Sequence, residues 1–316
     1  MPLLFLNEIS CGTGCEPAHA DRAMTEFART TRAVAKEDRT PTVLVSAVEL
    51  KSLQIAEGYP IGKWAGNPRN RDAWLRLRQM QNKSPFKVAF PDEKEPYDVE
   101  YRHEGDRADG IGAAHLLDGL AVSLPVAARW DTSTLRVERE QLNDVDDPDT
   151  EVSEVSEVEV RHLSARDHVE DHLTWIRERA AWLLKTGLAD VHSGAALWEK
   201  RAELFPRLGF LPHVEQQLRS LLQVSVHVVL RRLAELDRAV TDWDPDIRPE
   251  GPLWPGSTRP EHEQRRRSCW FPDLDGTQQL FDLHIDFPPR PGRLHFRLVP
   301  KTRTVHIAHI GRKLGV

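Results

Sequence analysis

Three histidines and two arginines near the C-terminus have the types and spacing for chemistry. They sit in three short segments, Phe281–Phe287 (FDLHIDF), Arg293–Leu298 (RLHFRL) and Thr304–His309 (TVHIAH). Each segment alternates apolar with polar residues, the period of a half-buried strand. The apolar set is Phe281, Leu283, Ile285, Phe287, Leu294, Phe296, Leu298, Val305 and Ile307. The other face holds Asp282, His284, Asp286, Arg293, His295, Arg297 and His306. An antiparallel meander must pair apolar with apolar, because a slip of one residue flips the face. One permitted register sets His295 opposite both His284 and His306, with Arg293 and Arg297 beside the row.

Such a row suits metal-free RNA cleavage. That reaction needs a base for the 2′-hydroxyl proton, a cation for the phosphoryl charge and an acid for the leaving 5′-oxygen. Histidine serves as acid or base near neutral pH. Arginine clamps phosphate with two parallel bonds. His284, His295 and His306 are then the acid–base candidates, and Arg293 and Arg297 the phosphate clamp, with no metal and no cofactor required. Lys301, Arg303, Arg312 and Lys313 fall in turns or the tail, where they would add phosphate contacts without sequence preference. Two other readings stand beside this one. The three histidines could bind a divalent metal, or the face could be an ordinary polar side of a sheet, solvated or covered by a helix.

Charge distribution supports a polyanion as partner. Net charge is −6, which argues against a general nucleic-acid coat protein. From Pro288 to Val316, however, there are Arg290, Arg293, Arg297, Lys301, Arg303, Arg312 and Lys313, and no acid. From Asp144 to Glu159 there are eight acids and no base. Charge divided this way marks a polyanion site or an acidic linker, and the acidic run could lie over the basic sheet as a lid.

Other motifs read as structure. His168 and His172 have metal-ligand spacing, but HVEDH is not HExxH, so a packed or solvated role is preferred for them. Cys11, Cys15 and His19 lack a fourth zinc ligand nearby. The three cysteines make no disulfide framework. No Walker A loop, dinucleotide fingerprint or nucleophile elbow occurs, and Gly110-x-Gly112 is too weak to suggest a nucleotide site. The start MPLLFLNE is too short for a secretory signal and no apolar run spans a membrane, so cytoplasmic residence with no membrane contact is expected.

The elements that must position these residues follow from periodicity. Helices are expected at 21–35, 71–81, 165–184, 193–204 and 214–240, and strands at 42–48, 98–102, 119–124 and 134–139. The segment 243–261 reads as a Pro- and Gly-rich loop, followed by Trp270–Asp273 and an Asp275-Gly276 turn. The fold class is α+β. A mixed α/β domain covers 1–142, an acidic linker or exposed hairpin 143–160, and a helical segment with a small antiparallel sheet 161–316.

The final ~35 residues, through RLHFRLVPKTR and VHIAHIG, resemble the sheet of RelE/ParE-like toxins. That resemblance implies a small antiparallel sheet with helices on one face and ribosome-dependent mRNA cleavage. Arg293, Arg297 and Lys301 are the matching positions. The family typically also uses tyrosine, and none follows Tyr101 here. GLAVSL, ELFPRLGFLP and the pairing of HIDF with RLHFRL are similar to bacterial proteins of phage-defence and mobile-element neighbourhoods. Two functions follow as expectations. One is a toxin-like effector acting on RNA. The other is a non-enzymatic subunit of a defence complex that binds nucleic acid or a partner protein, such as an inhibitor or another subunit.

Overall fold

Apolar periodicity places most elements, and long-range pairing sorts them into two units. The computed structural model describes residues 3–38, 40–85, 87, 90, 99–144, 151–256, 258–287 and 292–315. The architecture is α+β. Among the described residues no helix is long and apolar enough to cross a membrane.

Unit 1 comprises residues 1–94, 99–143 and 151–189. It runs β1 (Leu3–Leu6), α1 (Pro17–Glu37), β2 (Val43–Val45), the hairpin β3 (Gln54–Ala56) and β4 (Tyr59–Pro60), then α2 (Ile61–Ala65) and α3 (Arg71–Asn82). A second hairpin, β5 (Val99–His103) and β6 (Asp106–Arg107), leads to α4 (Asp109–Leu116) and β7 (Leu120–Val122). Strands β8 (Thr134–Asp144) and β9 (Glu151–Leu163) precede α5 (His168–Asp171) and α6 (Leu173–Thr186). The seven-stranded sheet has the order β2-β1-β7-β9-β8-β5-β6. Strand β1 is parallel to β2 and β7, and β7 is parallel to β9. Strand β5 is antiparallel to β8 and β6.

The core follows from the sequence pattern. LLFL of β1 is buried on both faces, as a central parallel strand should be. Helix α1 buries Ala20, Met24, Phe27, Thr31 and Val34, one stripe at helical spacing. Trp64, Trp130, Tyr101, Phe5 and Phe27 are fully enclosed; each contributes about 2–3 kcal/mol by leaving water. Gly110 sits where α4 crosses the end of β1, and a Cβ there would lie 2.0 Å from the Leu6 carbonyl oxygen.

The acidic run is not a linker. Glu151–Leu163 lies beside β8 as the second arm of a hairpin, the other form expected for this run; its end, His162 and Leu163, pairs with β7, and the acidic part runs along β8. Its alternation permits this: Val160 is buried, while Glu157 and Glu159 are exposed and flank Arg136, with Glu159 at 3.4 Å. The connection at 145–150 lies outside the described residues. A segment committed to sheet pairing is no removable lid. The division between units therefore falls at Ala189 and Asp190 rather than near 142.

Unit 2 comprises residues 95–98, 144–150 and 190–316. Helix α7 (Gly194–Leu204) is capped by the Ser193 hydroxyl, which accepts from the Ala196 N–H. Strand β10 (Leu208–Phe210) follows, then α8 (Val214–Ser220) and α9 (Gln223–Thr241). The single helix expected over 214–240 is broken at Leu221 and Leu222, both extended. Next come β11 (Arg259–Pro260), α10 (Glu263–Arg266), the hairpin β12 (Trp270–Pro272) and β13 (Gln278–Leu280), and the strands β14 (Leu283–Asp286), β15 (Gly292–Val299) and β16 (Thr304–Arg312). The five-stranded sheet has the order β10-β16-β15-β14-β11. The expected meander β14–β15–β16 is present, antiparallel throughout. Strand β10 adds to it in parallel, a partner that the pattern of the last three strands does not reveal.

Candidate functional site

The meander brings His284 opposite His295, a register that apolar pairing permits. Their ring centres are 5.3 Å apart. The third member of the row is different. Strand β16 carries a bulge that leaves Ala308 without a partner, so His295 lies opposite His309, and His306 lies opposite Arg297. The extra residue shifts the register by one position. His309 is 5.8 Å from His295 between ring centres.

The polar face is covered. His295 is 0% exposed, His284 1% and Arg293 4%. The segment between β11 and β14 supplies the covering groups. Glu261 precedes α10, and its Oε1 accepts from Arg265 Nε at 3.0 Å and from the His262 N–H at 3.0 Å. Its Oε2 accepts from Arg293. Cys269 Sγ lies 3.8 Å from His295 Nδ1, and the Phe281 carbonyl lies 3.2 Å from the same nitrogen.

Burial and charge set the protonation of this cluster. Burial, with the Arg293 guanidinium adding to it, lowers His284 to about 4. Burial and the neighbouring His284 lower His295 to about 3. Burial alone would raise Glu261, but Arg293, Arg265 and the His262 amide outweigh it and hold the carboxyl at about 2. Burial and the nearby Glu261 push the Cys269 thiol up to about 12. At neutral pH the cluster therefore holds two neutral imidazoles and one carboxylate between two guanidiniums. A neutral, enclosed imidazole is a ligand or a packed group; it is no acid for a leaving group in solvent.

Arg297 and His306 belong to a second cluster. Asp273 Oδ2 accepts from Arg297 Nε at 2.8 Å, and Asp273 Oδ1 meets His306 Nδ1 at 2.6 Å. Burial would raise the Asp273 carboxyl, but Arg297, the Leu274 N–H and His306 hold it below the ordinary range. The five residues expected to form one catalytic row thus divide: His284, His295 and Arg293 gather on Glu261, and Arg297 and His306 on Asp273.

The basic residues divide as well. Lys301 and Arg303 lie in the turn between β15 and β16, where Arg303 donates to the Trp243 carbonyl. Arg312 ends β16 and Lys313 follows it. At ~3.3 Å per residue the two pairs stand about 30 Å apart. At the Arg312 end the tail returns to α10: a Cβ on Gly315 would lie 3.1 Å from Ser268 Oγ and 3.9 Å from Arg265 Cγ. Arg266 and Arg267 are therefore in the same neighbourhood. Arg266 pairs with Asp282 at 2.7 Å, and Arg267 is exposed.

In unit 1 a buried relay lies at the carboxyl ends of the parallel strands. Asn7 Nδ2 donates to Ser123 Oγ at 2.9 Å, and Ser123 lies 2.6 Å from His162 Nε2. His162 Nδ1 lies 2.7 Å from the Thr132 carbonyl, which can only accept, so Nδ1 carries the proton. The order resembles a nucleophile and its base, but Asn7 is 1% exposed and the other two 0%. It closes the strand ends rather than opening a site. His168 and His172 are held by backbone, at the Ser164 N–H and the Ser133 carbonyl. His19 is held by the Pro125 carbonyl at 3.1 Å, away from a metal role with Cys11 and Cys15. Burial, with Glu8 adding to it, pushes the Cys11 thiol up to about 12.

Glu261, Arg265, Asp273 and His309 are the site residues that periodicity does not reveal. The first two lie in a stretch without apolar period, and Glu261 meets Arg293 across 32 residues of sequence. Among the described residues, Glu261, His284 and His295 form the one group of three or more His, Cys, Asp or Glu side chains placed to hold a metal ion.

Comparison with protein-family models, with curated proteins and with solved structures finds no match to this chain. The fold and the sites define an α+β protein of two units, one of which holds a buried Glu–His–His cluster and carries a basic edge.

Proposed function

We propose that this chain is an RNA-binding protein, acting as a non-enzymatic subunit beside partner proteins in a bacterial defence or toxin–antitoxin setting. The binding surface is the end of unit 2 where Arg266, Arg267, Arg312 and Lys313 gather. The return of the tail onto the Arg265–Ser268 segment carries this reading, because it joins two basic runs that lie far apart in sequence. The setting rests on the likeness of the C-terminal segments to toxin sheets. The covered histidines favour a binding role over metal-free ribonuclease chemistry, which would need His284 and His295 in contact with substrate.

Contacts of this kind act through phosphate charge and release counterions. Fluorescence anisotropy with a labelled single-stranded RNA, read across a salt series, tests the reading. Replacing Arg267, Arg312 and Lys313 together by alanine removes three cations, and the slope of log affinity against log salt should fall by about 2. An unchanged slope, or an equal loss from Lys301→Ala alone, rejects this surface. RNA cleavage by the purified chain that disappears in His295→Ala would restore the ribonuclease reading.

A further inference from the structure

Three metal-ligating side chains inside unit 2 converge on one another. Glu261 Oε2 lies 3.9 Å from His284 Nδ1 and 3.9 Å from His295 Nε2. One ligand atom from each of the three lies within 4.8 Å of the others. All three side chains are buried, Glu261 at 4% exposure, His284 at 1% and His295 at 0%.

Hydrogen bonding fixes what they present. The Phe281 carbonyl only accepts, so His295 Nδ1 carries its proton and Nε2 offers a lone pair. That lone pair faces a carboxylate oxygen. Two acceptors facing each other in a dry interior repel, and a cation between them reverses the sign. His295 Nε2 has no hydrogen-bond partner, and neither nitrogen of His284 makes a well-formed one, the Asp282 backbone offering that ring only a weak contact. Buried polar atoms are rarely left so, and an ion is one of the few groups that satisfy them together. Outer support is also present. His295 donates its far nitrogen to a backbone carbonyl, and His284 turns Nε2 toward Asp286 Oδ1 at 3.8 Å. Carbonyls and carboxylates in these positions orient ligating imidazoles.

We propose that Glu261, His284 and His295 form a site for a first-row divalent transition metal, zinc foremost, bound through Glu261 Oε2, His284 Nδ1 and His295 Nε2. Two imidazoles and one carboxylate suit zinc, and they do not suit magnesium or calcium, which take oxygen ligands. Ligand atoms ~2.1 Å from a tetrahedral metal stand about 3.4 Å apart, so on loading the two carboxylate–imidazole distances close by about half an ångström and the imidazoles, within 4.8 Å, by up to about 1.4 Å. Arg293 already donates to Oε2, but a carboxylate oxygen has a second lone pair, so the guanidinium stays as an outer contact. The Arg265 and Arg293 charges weaken the site, and Asp286, 3.4 Å from Arg293 Nε, offsets part of that. With three protein ligands the fourth tetrahedral position falls to a water, and a metal held in this way would tie the segment before α10 to β14 and β15 and keep the polar face of the sheet covered.

The test uses the full chain, stripped with chelator and titrated with zinc by calorimetry and with cobalt by visible absorption. One equivalent should bind, cobalt should give the visible band of a nitrogen–oxygen site, and the thermal midpoint should rise with zinc concentration. His284→Gln and His295→Gln should each lose at least tenfold in affinity, while His306→Ala, outside the cluster, keeps it. No uptake by the folded wild-type chain overturns the proposal. So does uptake unchanged in both glutamine variants, which would place the metal elsewhere. The wild-type titration decides even if a variant fails to fold.

Discussion

Acid should act on unit 1 through two buried groups with opposite signs, Glu8 and His162. Burial lowers His162 from 6.5 to about 4. The unfolded chain takes up this proton near 6.5, and the folded chain resists it until about 4. Stability is therefore complete above 6.5 and lost as pH falls toward 4, by about 3 kcal/mol for a shift of this size. Burial raises Glu8 from 4.5 to about 6, against the Gly110 N–H that bonds its Oε2 at 3.1 Å. Here the folded chain binds the proton more tightly, so acidification from 6 to 4.5 restores at most about 2 kcal/mol. In the wild type the two nearly cancel, leaving a net loss of about 1 kcal/mol between pH 6.5 and 4. Glu8→Gln keeps an acceptor for Gly110 and removes the restoring proton, which exposes the full His162 loss of about 3 kcal/mol. His162→Gln reverses the sign, and unit 1 should then gain stability on acidification. Asp38, also raised by burial, acts alike in every form and cancels in the comparison. The assay is hydrogen exchange by mass spectrometry, read on peptides covering β1 and β7 and corrected for intrinsic rates. Parallel pH profiles for the wild type and the two variants would refute the reasoning.

Two further outcomes follow from packing. Asp273→Ala leaves Arg297 and His306 without the carboxylate both hold, and should destabilise unit 2 by about 3 kcal/mol in urea unfolding followed on β14–β16 peptides; a loss under 1 kcal/mol, the scale of exposed pairs, would show that solvent replaces it. Gly110→Ala puts a methyl 2.0 Å from the Leu6 carbonyl and should cost at least about 2 kcal/mol in thermal unfolding. An unchanged midpoint would mean that α4 moves freely away from β1.

Local pattern alone specifies much of this protein. Alternation in FDLHIDF and RLHFRL permits the antiparallel pairing that sets His284 opposite His295 and excludes a slip of one residue, which would expose Ile285 and Leu294. Helical stripes locate α1, α3 and α7 to within a few residues, because burial of one face dictates the spacing, while the single helix expected over 165–184 is two, α5 and α6, divided at His172. The limits of local pattern are equally physical. A bulge at Ala308 costs no apolar contact, so nothing in TVHIAHIG announces it, yet it exchanges His306 for His309 beside His295. Alternating valine and glutamate in 151–160 fits a linker as well as the arm of an exposed hairpin, and adjacency to β8 decides for the hairpin, with only His162 and Leu163 reaching β7. Whether the histidine face meets solvent depends on Glu261 and Cys269, which arrive from a segment without period. Sequence thus determines which side chains share a face. Only the tertiary structure decides what lies across from that face, because covering it requires contacts between residues tens of positions apart, and no short-range periodicity encodes those.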